Sequence, residues 1–257
     1  MQQYYGDTPR IIDKKGKNRT KKANNRNKKI PALVVALVFC VSLVALIWAT
    51  TQPTKNLTSN TKCWYFLCVD VQTTSEKAQI SATDVREKGG AGFIINDGKY
   101  NVIASVYDKE SDVKKVSKNI ENSTVYPLKI ESISLVETSN KSLNSSVEKA
   151  FGIHEKIYSE VMENLALYEN GKIEESKLWY AVEKITEEVV ALNEKLRSFQ
   201  STYDLLYLPI LCDYLQSSSA VLTNSSSVFD GLSVSKIRYA LCQIIRSRKA
   251  VSDEIKG

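Results

Sequence analysis

The chain has 257 residues, 35 Lys or Arg against 29 Asp or Glu, a formal net charge of +6 and a single histidine. One histidine excludes metal sites that need two histidines and any catalytic triad that needs a second one. Five cysteines in a chain of this length are too few for a disulfide scaffold.

The first predicted element is an uncharged apolar stretch at residues 30–50. As a helix rising about 1.5 Å per residue, it is long enough to cross a hydrocarbon core of about 30 Å. Residues 1–29 carry ten Lys or Arg against Asp7 and Asp13. The positive-inside rule therefore predicts a single-pass cell-membrane protein with a cytoplasmic N-terminus. A cleaved signal peptide is the alternative, but the charged region would be unusually long for one.

The segments on either side of this stretch are polar. Residues 1–29 predict a disordered basic tail, which either contacts anionic lipid headgroups or serves only as a topology signal. Residues 51–62 predict a short linker. The tail has a net charge of +8 and the whole chain has +6, so the rest of the chain has a net charge near −2. Nothing in this charge balance indicates a nucleic-acid partner.

Residues 63–137 alternate between strand and helix patterns. A capping box at Thr73 and Glu76 opens the first helix, Gly89 and Gly90 close it, and Asp97-Gly98 predicts a hairpin turn. The predicted elements are strand 63–71, helix 73–88, strand 91–96, strand 99–107, helix 108–122 and strand 125–136. This βαββαβ order predicts a ferredoxin-like antiparallel sheet with two helices on one face and an open second face.

Residues 89–120 begin with a glycine-rich entry to a strand, and after a short turn the next strand contains Tyr100 and Val102 and closes with Tyr107. This stretch resembles the second half of a SPOR (sporulation-related repeat) domain. Tyr100 and Val102 match the family's aromatic residue and valine, Tyr107 matches the aromatic residue that closes the strand, and Ser105 stands where the family usually has glycine. In the first half, which matches in outline, Asp70 falls near an expected glycine.

The resemblance implies a non-enzymatic bacterial envelope protein that binds peptidoglycan. SPOR domains bind glycan strands stripped of stem peptides at division or sporulation septa, so such strands are the expected partner. The candidate glycan contacts are Asn96, Asn101, Ser105 and Tyr107. Strand alternation predicts that Asn101, Ser105 and Tyr107 share one side, on the open face.

The last part of the chain is predicted to be helical. After a linker at 138–145, a capping box at Ser145 and Glu148 opens residues 146–257, which predict a C-terminal four-helix bundle. Pro209 is expected to bend or break a buried apolar segment at 203–215. The bundle is expected to bind a protein partner or to act as a spacer.

Several residue patterns allow both a structural and a functional interpretation. His154 lies in the apolar stripe of a helix. This position favours a core or boundary histidine over the alternative, a ligand or a pH sensor. The run from Gly89 to Gly92 resembles a phosphate-binding loop in its glycine content. It leads into a strand instead of a helix and lacks the Lys-Ser/Thr pair of a P-loop. These differences favour a helix stop and a tight turn. Cys212 and Cys242 could form a disulfide if their helices touch, or remain buried thiols.

Charged pairs along the helices give no sign of catalysis. Glu174-Glu175 and Glu187-Glu188 are adjacent on helices and do not face a common point, so they favour a solvated face over an acid/base pair. A basic face is predicted for the last helix, suited to anionic polymers or lipid headgroups, or simply solvated. Its residues are Lys236, Arg238, Arg246, Arg248 and Lys249. No metal or cofactor is predicted, and a wall hydrolase has no catalytic set to support it.

Two functional hypotheses follow. The first is a membrane-anchored, extracytoplasmic glycan-strand binding protein acting at division or sporulation septa. The second is a degenerate SPOR-fold scaffold whose helical bundle is a protein-interaction or sensor module. If the open sheet face is covered by the bundle, the second hypothesis is favoured.

Overall fold

The computed structural model describes residues 56–225 and 234–257. The predicted tail at 1–29 and the predicted membrane-spanning stretch at 30–50 lie outside these residues. The described residues belong to one compact unit.

The described part of the chain contains six strands and six helices. The strands are β1 Asn56–Thr58, β2 Lys62–Gln72, β3 Phe93–Asn96, β4 Tyr100–Tyr107, β5 Thr124–Ile130 and β6 Ser134–Val136. The helices are α1 Ser75–Glu87, α2 Glu110–Ser117, α3 Lys141–Glu169, α4 Glu175–Gln200, α5 Tyr207–Ser225 and α6 Val234–Lys256.

Four strands form an antiparallel sheet in the order β3-β4-β2-β5, and β1 pairs with β6 in a separate two-stranded sheet. The connection between β3 and β4 is tight, with Gly98 at a positive φ of 96° that favours glycine. The small sheet was not predicted, and its first strand falls inside the expected linker at 51–62.

Helices cover both faces of the four-stranded sheet. Helices α1 and α2 pack on one face, where Ala78, Ala82 and Val102 form a small buried cluster. On the other face, the ring of Trp64 packs 4.8 Å from that of Tyr158 on α3. Helix α6 contacts β3, β4 and β5 on that face. One large hydrophobic core therefore runs from the sheet into the helices.

The prediction of the fold class is wrong. It described an α+β chain with an N-terminal transmembrane helix, a ferredoxin-like βαββαβ SPOR-type domain and a C-terminal all-α bundle. Within residues 56–225 and 234–257, no helix combines the length and apolar composition needed to cross a bilayer. The sheet and the long helices share one core, because Trp64 and Phe66 on the face expected to be open are fully buried against the helices.

The long helices α3 to α6 pack in sequence, each against the next. Pro209 does not interrupt α5, because it lies in the first turn, where its missing N–H has no helical partner to lose. Cys212 on α5 and Cys242 on α6 are both buried free thiols.

Helix α3 begins earlier than the capping box at Ser145 predicts. Its N-cap is Asn140, whose side-chain oxygen accepts hydrogen bonds from the backbone N–H groups of Ser142 at 3.0 Å and Leu143 at 3.1 Å. Ser145 therefore lies inside the helix.

We expect Asn140→Ala to lower the free energy of unfolding by about 1 kcal/mol, because two backbone donors lose their acceptor. Asn140→Asp keeps an acceptor and should retain most of the stability. Urea denaturation of the three proteins measures the difference, and equal stability of the alanine variant would contradict the cap assignment.

Candidate functional site

The four predicted glycan contacts do not lie on one face of the sheet. Asn101 shares a face with Cys68, since its Oδ1 lies 3.9 Å from the Cys68 sulfur. Ser105 and Tyr107 instead line a groove on the opposite face, between α1 and α2. Asn96 is exposed at the hairpin turn, where its side chain accepts a hydrogen bond from the N–H of Gly98 at 3.2 Å.

A β-bulge separates these residues. Cys68 pairs with Ile103 and Leu67 pairs with Ser105, so Ala104 is an extra residue in β4. The extra residue shifts the alternation of side chains by one, so Ile103 and Val106 both enter the large core although they are three residues apart. The prediction that Asn101, Ser105 and Tyr107 share one side is therefore wrong.

The face that was expected to be open is filled by helices. Phe93 stacks edge-on against Tyr239 of α6, with ring centroids 5.3 Å apart. Tyr158 of α3 donates a hydrogen bond to the backbone carbonyl of Val106 at 3.3 Å. Asn101 supports the hairpin from this face, because its amide donates to Asp97 Oδ1 at 2.8 Å. A polysaccharide has no access to the centre of this face.

An accessible concavity next to the sheet lies between α1 and α2, and we call it the α1–α2 groove. Its volume is about 570 Å³. Its apolar lining consists of Leu67, Val69, Val85, Ala104, Val116 and Ile120. Its polar lining consists of Asp70, Ser81, Asp84, Lys88, Ser105, Tyr107 and Arg238. This combination of apolar surface with hydrogen-bonding groups suits a small polar ligand.

Two acidic groups of the groove differ in their environment. Burial raises the pKa of Tyr107, and a hydrogen bond with Ser105 opposes this shift. Burial would also raise the pKa of Asp70, but hydrogen bonds from Gln72 and Ser81 outweigh it and lower that pKa. Asp70 is therefore a charged acceptor, and Tyr107 remains a neutral phenol that can donate.

Arg238 of α6 closes one end of the α1–α2 groove. Its guanidinium donates to the carbonyl of Gly89 at 2.7 Å and to both carboxylate oxygens of Glu169 at 2.8 and 2.9 Å. This residue links α6, the end of α3 and the turn after α1. Arg238 reaches this groove only through contacts with residues distant in the sequence, so the sequence pattern does not reveal its position.

The glycine run between α1 and β3 ends the helix, as predicted from its sequence. Gly89 has a positive φ of 81°, and the N–H of Gly90 donates to the carbonyl of Val85 at 2.9 Å. A Cβ at Gly92 would lie 2.3 Å from the carbonyl oxygen of Ala82, so the glycine permits the close approach of α1.

His154 lies in the core between the sheet and the helices, only 3% exposed. Its ring centroid is 5.7 Å from that of Trp64, and neither ring nitrogen has a hydrogen-bond partner among the described residues. Burial lowers the pKa of His154 to about 3, and the positive charges of Arg248 and Lys62 add to the shift. The interpretation as a core histidine fits this position.

The basic residues of α6 do not form one face. Arg248 is buried, 1% exposed, and donates from Nε to the carbonyl of Phe151 at 3.3 Å. Lys249 pairs with Asp253. Burial lowers the pKa of Arg248. Its position continues the apolar stripe of Ile237, Leu241, Ile244 and Val251. That spacing is the sequence signal that marks Arg248 as inward-facing.

No group of three or more His, Cys, Asp or Glu side chains in the described parts of the chain is placed to hold a metal ion. Comparisons with protein-family models, curated proteins and solved structures found no match to this chain.

Proposed function

We propose that the chain is a membrane-anchored, non-enzymatic scaffold of the bacterial envelope, whose sheet supports a set of long helices that bind a protein partner. The observation that carries this proposal is the burial of the sheet face expected to bind glycan. Trp64 and Phe66 at its centre are 0% exposed, and α3 and α6 lie over them. The membrane anchor in this proposal is the apolar stretch at residues 30–50.

Burial of this face favours a scaffold for a simple energetic reason. Saccharide recognition needs accessible aromatic faces and polar groups that can bond sugar hydroxyls. Exposing Trp64, Phe66 and Ile103 together would forfeit about 1.5–3 kcal/mol per side chain. Glycan binding at this face would therefore require separating the sheet from the helices.

A second candidate function is glycan-strand binding in the α1–α2 groove. It is favoured by Ser105 and Tyr107, two of the predicted glycan contacts, which line this groove together with Asp70 and Lys88. This mode uses the opposite face of the sheet from the one that the resemblance implies.

A sacculus-binding assay separates the two candidates. The detergent-solubilised full chain is incubated with purified sacculi, before and after amidase trimming, and retained protein is measured by sedimentation. The scaffold proposal expects neither preparation to retain the chain. Retention on trimmed sacculi would contradict it and support the groove.

If trimmed sacculi retain the chain through the α1–α2 groove, Tyr107→Ala should abolish that retention, because it removes the aromatic surface and the phenol donor of the groove. The control is Ile80→Ala, at an α1 residue that is 66% exposed and does not line the groove. Retention that Tyr107→Ala leaves unchanged would place the glycan elsewhere on the chain.

A further inference from the structure

Helices α3 and α4 form a hairpin, and two separate cavities of about 530 and 500 Å³ follow one another along the surface between the two helices. Their α3 lining runs from Ser146 to Asn164, and their α4 lining runs in the opposite direction from Lys195 to Ser176. At about 1.5 Å per residue this surface is about 27 Å long, the length of an 18-residue helix. We call it the α3–α4 groove.

The floor of the groove is apolar at the end lined by Lys149 and Lys195. Ile153 and Leu192 form it, 6% and 9% exposed, with Ala191 beside them. Gly152 lies in the middle of α3, and a Cβ built there would meet no heavy atom within 4 Å. A glycine in a helix interior costs about 1 kcal/mol relative to alanine. It leaves room for another backbone to approach closely.

The rim of this end is basic. Lys149, Lys156 and Lys195 line it against one acid, Glu188, which pairs with Lys156 across the two helices. Among the described residues, neither Lys149 nor Lys195 forms an ion pair. This end of the groove therefore presents two lysines without an ion-pair partner among the described residues beside an apolar floor.

The other end of the groove is balanced in charge and carries an aromatic residue. Glu160 and Glu163 face Lys177 and Lys184 there. Tyr180 projects from α4 and is 63% exposed. Exposed tyrosines flanked by charged residues are common anchors of protein interfaces.

From these features we propose that the α3–α4 groove binds an amphipathic helix of a partner protein, with an apolar stripe on the floor and acidic residues opposite Lys149 and Lys195. The inference rests on the proposed scaffold function and deepens it by naming the chemistry of the partner. Charge complementarity selects an acidic helix, because a basic one would place like charges opposite the lysines.

Two 18-residue peptides test the groove. Both carry leucines at helical spacings of three and four; one has glutamates flanking the stripe, and the other has lysines at the same positions. Fluorescence anisotropy measures their binding to the detergent-solubilised full chain. The acidic peptide should bind, and the basic peptide should bind at least about tenfold more weakly.

Charge reversal locates the site. The double variant Lys149→Glu and Lys195→Glu should weaken binding of the acidic peptide at least about tenfold and improve that of the basic one. Lys99→Glu with Lys118→Glu, at exposed positions outside the groove, makes the same change in net charge and should leave both affinities unchanged. Gly152→Leu should block the acidic peptide by filling the floor.

The groove assignment is overturned if the acidic peptide does not bind, if both peptides bind equally, or if the two double variants have equal effects. A chain that self-associates through this surface and excludes the peptide also overturns it. Retention on sacculi instead overturns the scaffold role, whatever the peptides do, so the two failures are distinguishable.

Discussion

Replacing Trp64 by alanine is expected to lower the free energy of unfolding by about 3–5 kcal/mol. Its side chain is fully buried and contacts the rings of His154 and Tyr158, so it joins β2 to α3. The cavity left by the alanine would open in the middle of the contact between sheet and helices. Urea denaturation of the full chain in detergent measures the loss.

The control for this substitution is Leu206→Ala. Leu206 is 88% exposed, so its truncation should change the stability by less than about 0.5 kcal/mol. Native-state hydrogen exchange adds a second readout, because amides of β2 and α3 should lose protection together in Trp64→Ala. Loss of protection in β2 alone, with α3 unchanged, would show that the two parts are not coupled through this residue.

The second large effect is a fall in stability between pH 7.5 and pH 5. The pKa of His154 is about 3 in the folded chain, against an ordinary value of 6.5. As the pH falls from 7.5 to 5, His154 therefore takes up a proton in the unfolded chain and stays neutral in the folded chain. The stability contributed by neutral His154 is complete above about pH 6.5 and decreases as the pH falls toward 3. At pH 5 the loss is about 2 kcal/mol.

His154→Phe tests this assignment because it keeps an aromatic ring beside Trp64 and removes the titrating group. Since His154 is the only histidine in the chain, no second imidazole contributes in this range. Urea denaturation at both pH values should give a decrease that is about 2 kcal/mol smaller in the variant. The same pH dependence in both proteins would contradict the buried, neutral state of His154.

Local patterns predicted several elements of this chain well. The hairpin turn at Asp97-Gly98 and the helix stop at Gly89 depend on backbone conformations that only a few residue types favour, so the sequence alone reveals them. The apolar spacing of α4, through residues such as Leu178, Val182 and Ile185, likewise depends on one helix alone.

Features that depend on distant contacts could not be read from the sequence in this way. The bulge at Ala104 has no local signal, yet it moves Ser105 and Tyr107 to the face opposite Asn101. Arg238 reaches the α1–α2 groove from α6, far along the chain. The candidate site could therefore be predicted only in part.

One sequence signal argued against an open sheet face. In β2, Trp64, Phe66 and Cys68 are buried on one face, and Leu67 is buried on the other. Such an unbroken apolar run is typical of a strand covered on both faces, whereas a half-exposed strand alternates apolar and polar residues. The apolar run of β2 therefore favours a sheet covered on both faces, whereas the resemblance to SPOR domains favoured an open face.

Thiol labelling followed by mass spectrometry tests the covered face most directly. Cys63 and Cys68 lie on the same strand, but Cys63 is partly exposed, whereas Cys68 is 1% exposed beneath the helices. Burial also raises the pKa of the Cys68 thiol, which further lowers its reactivity. With N-ethylmaleimide and the folded full chain, Cys63 should react rapidly and Cys68 only on unfolding. Labelling of Cys68 at a rate close to that of Cys63 would contradict a sheet face buried by helices.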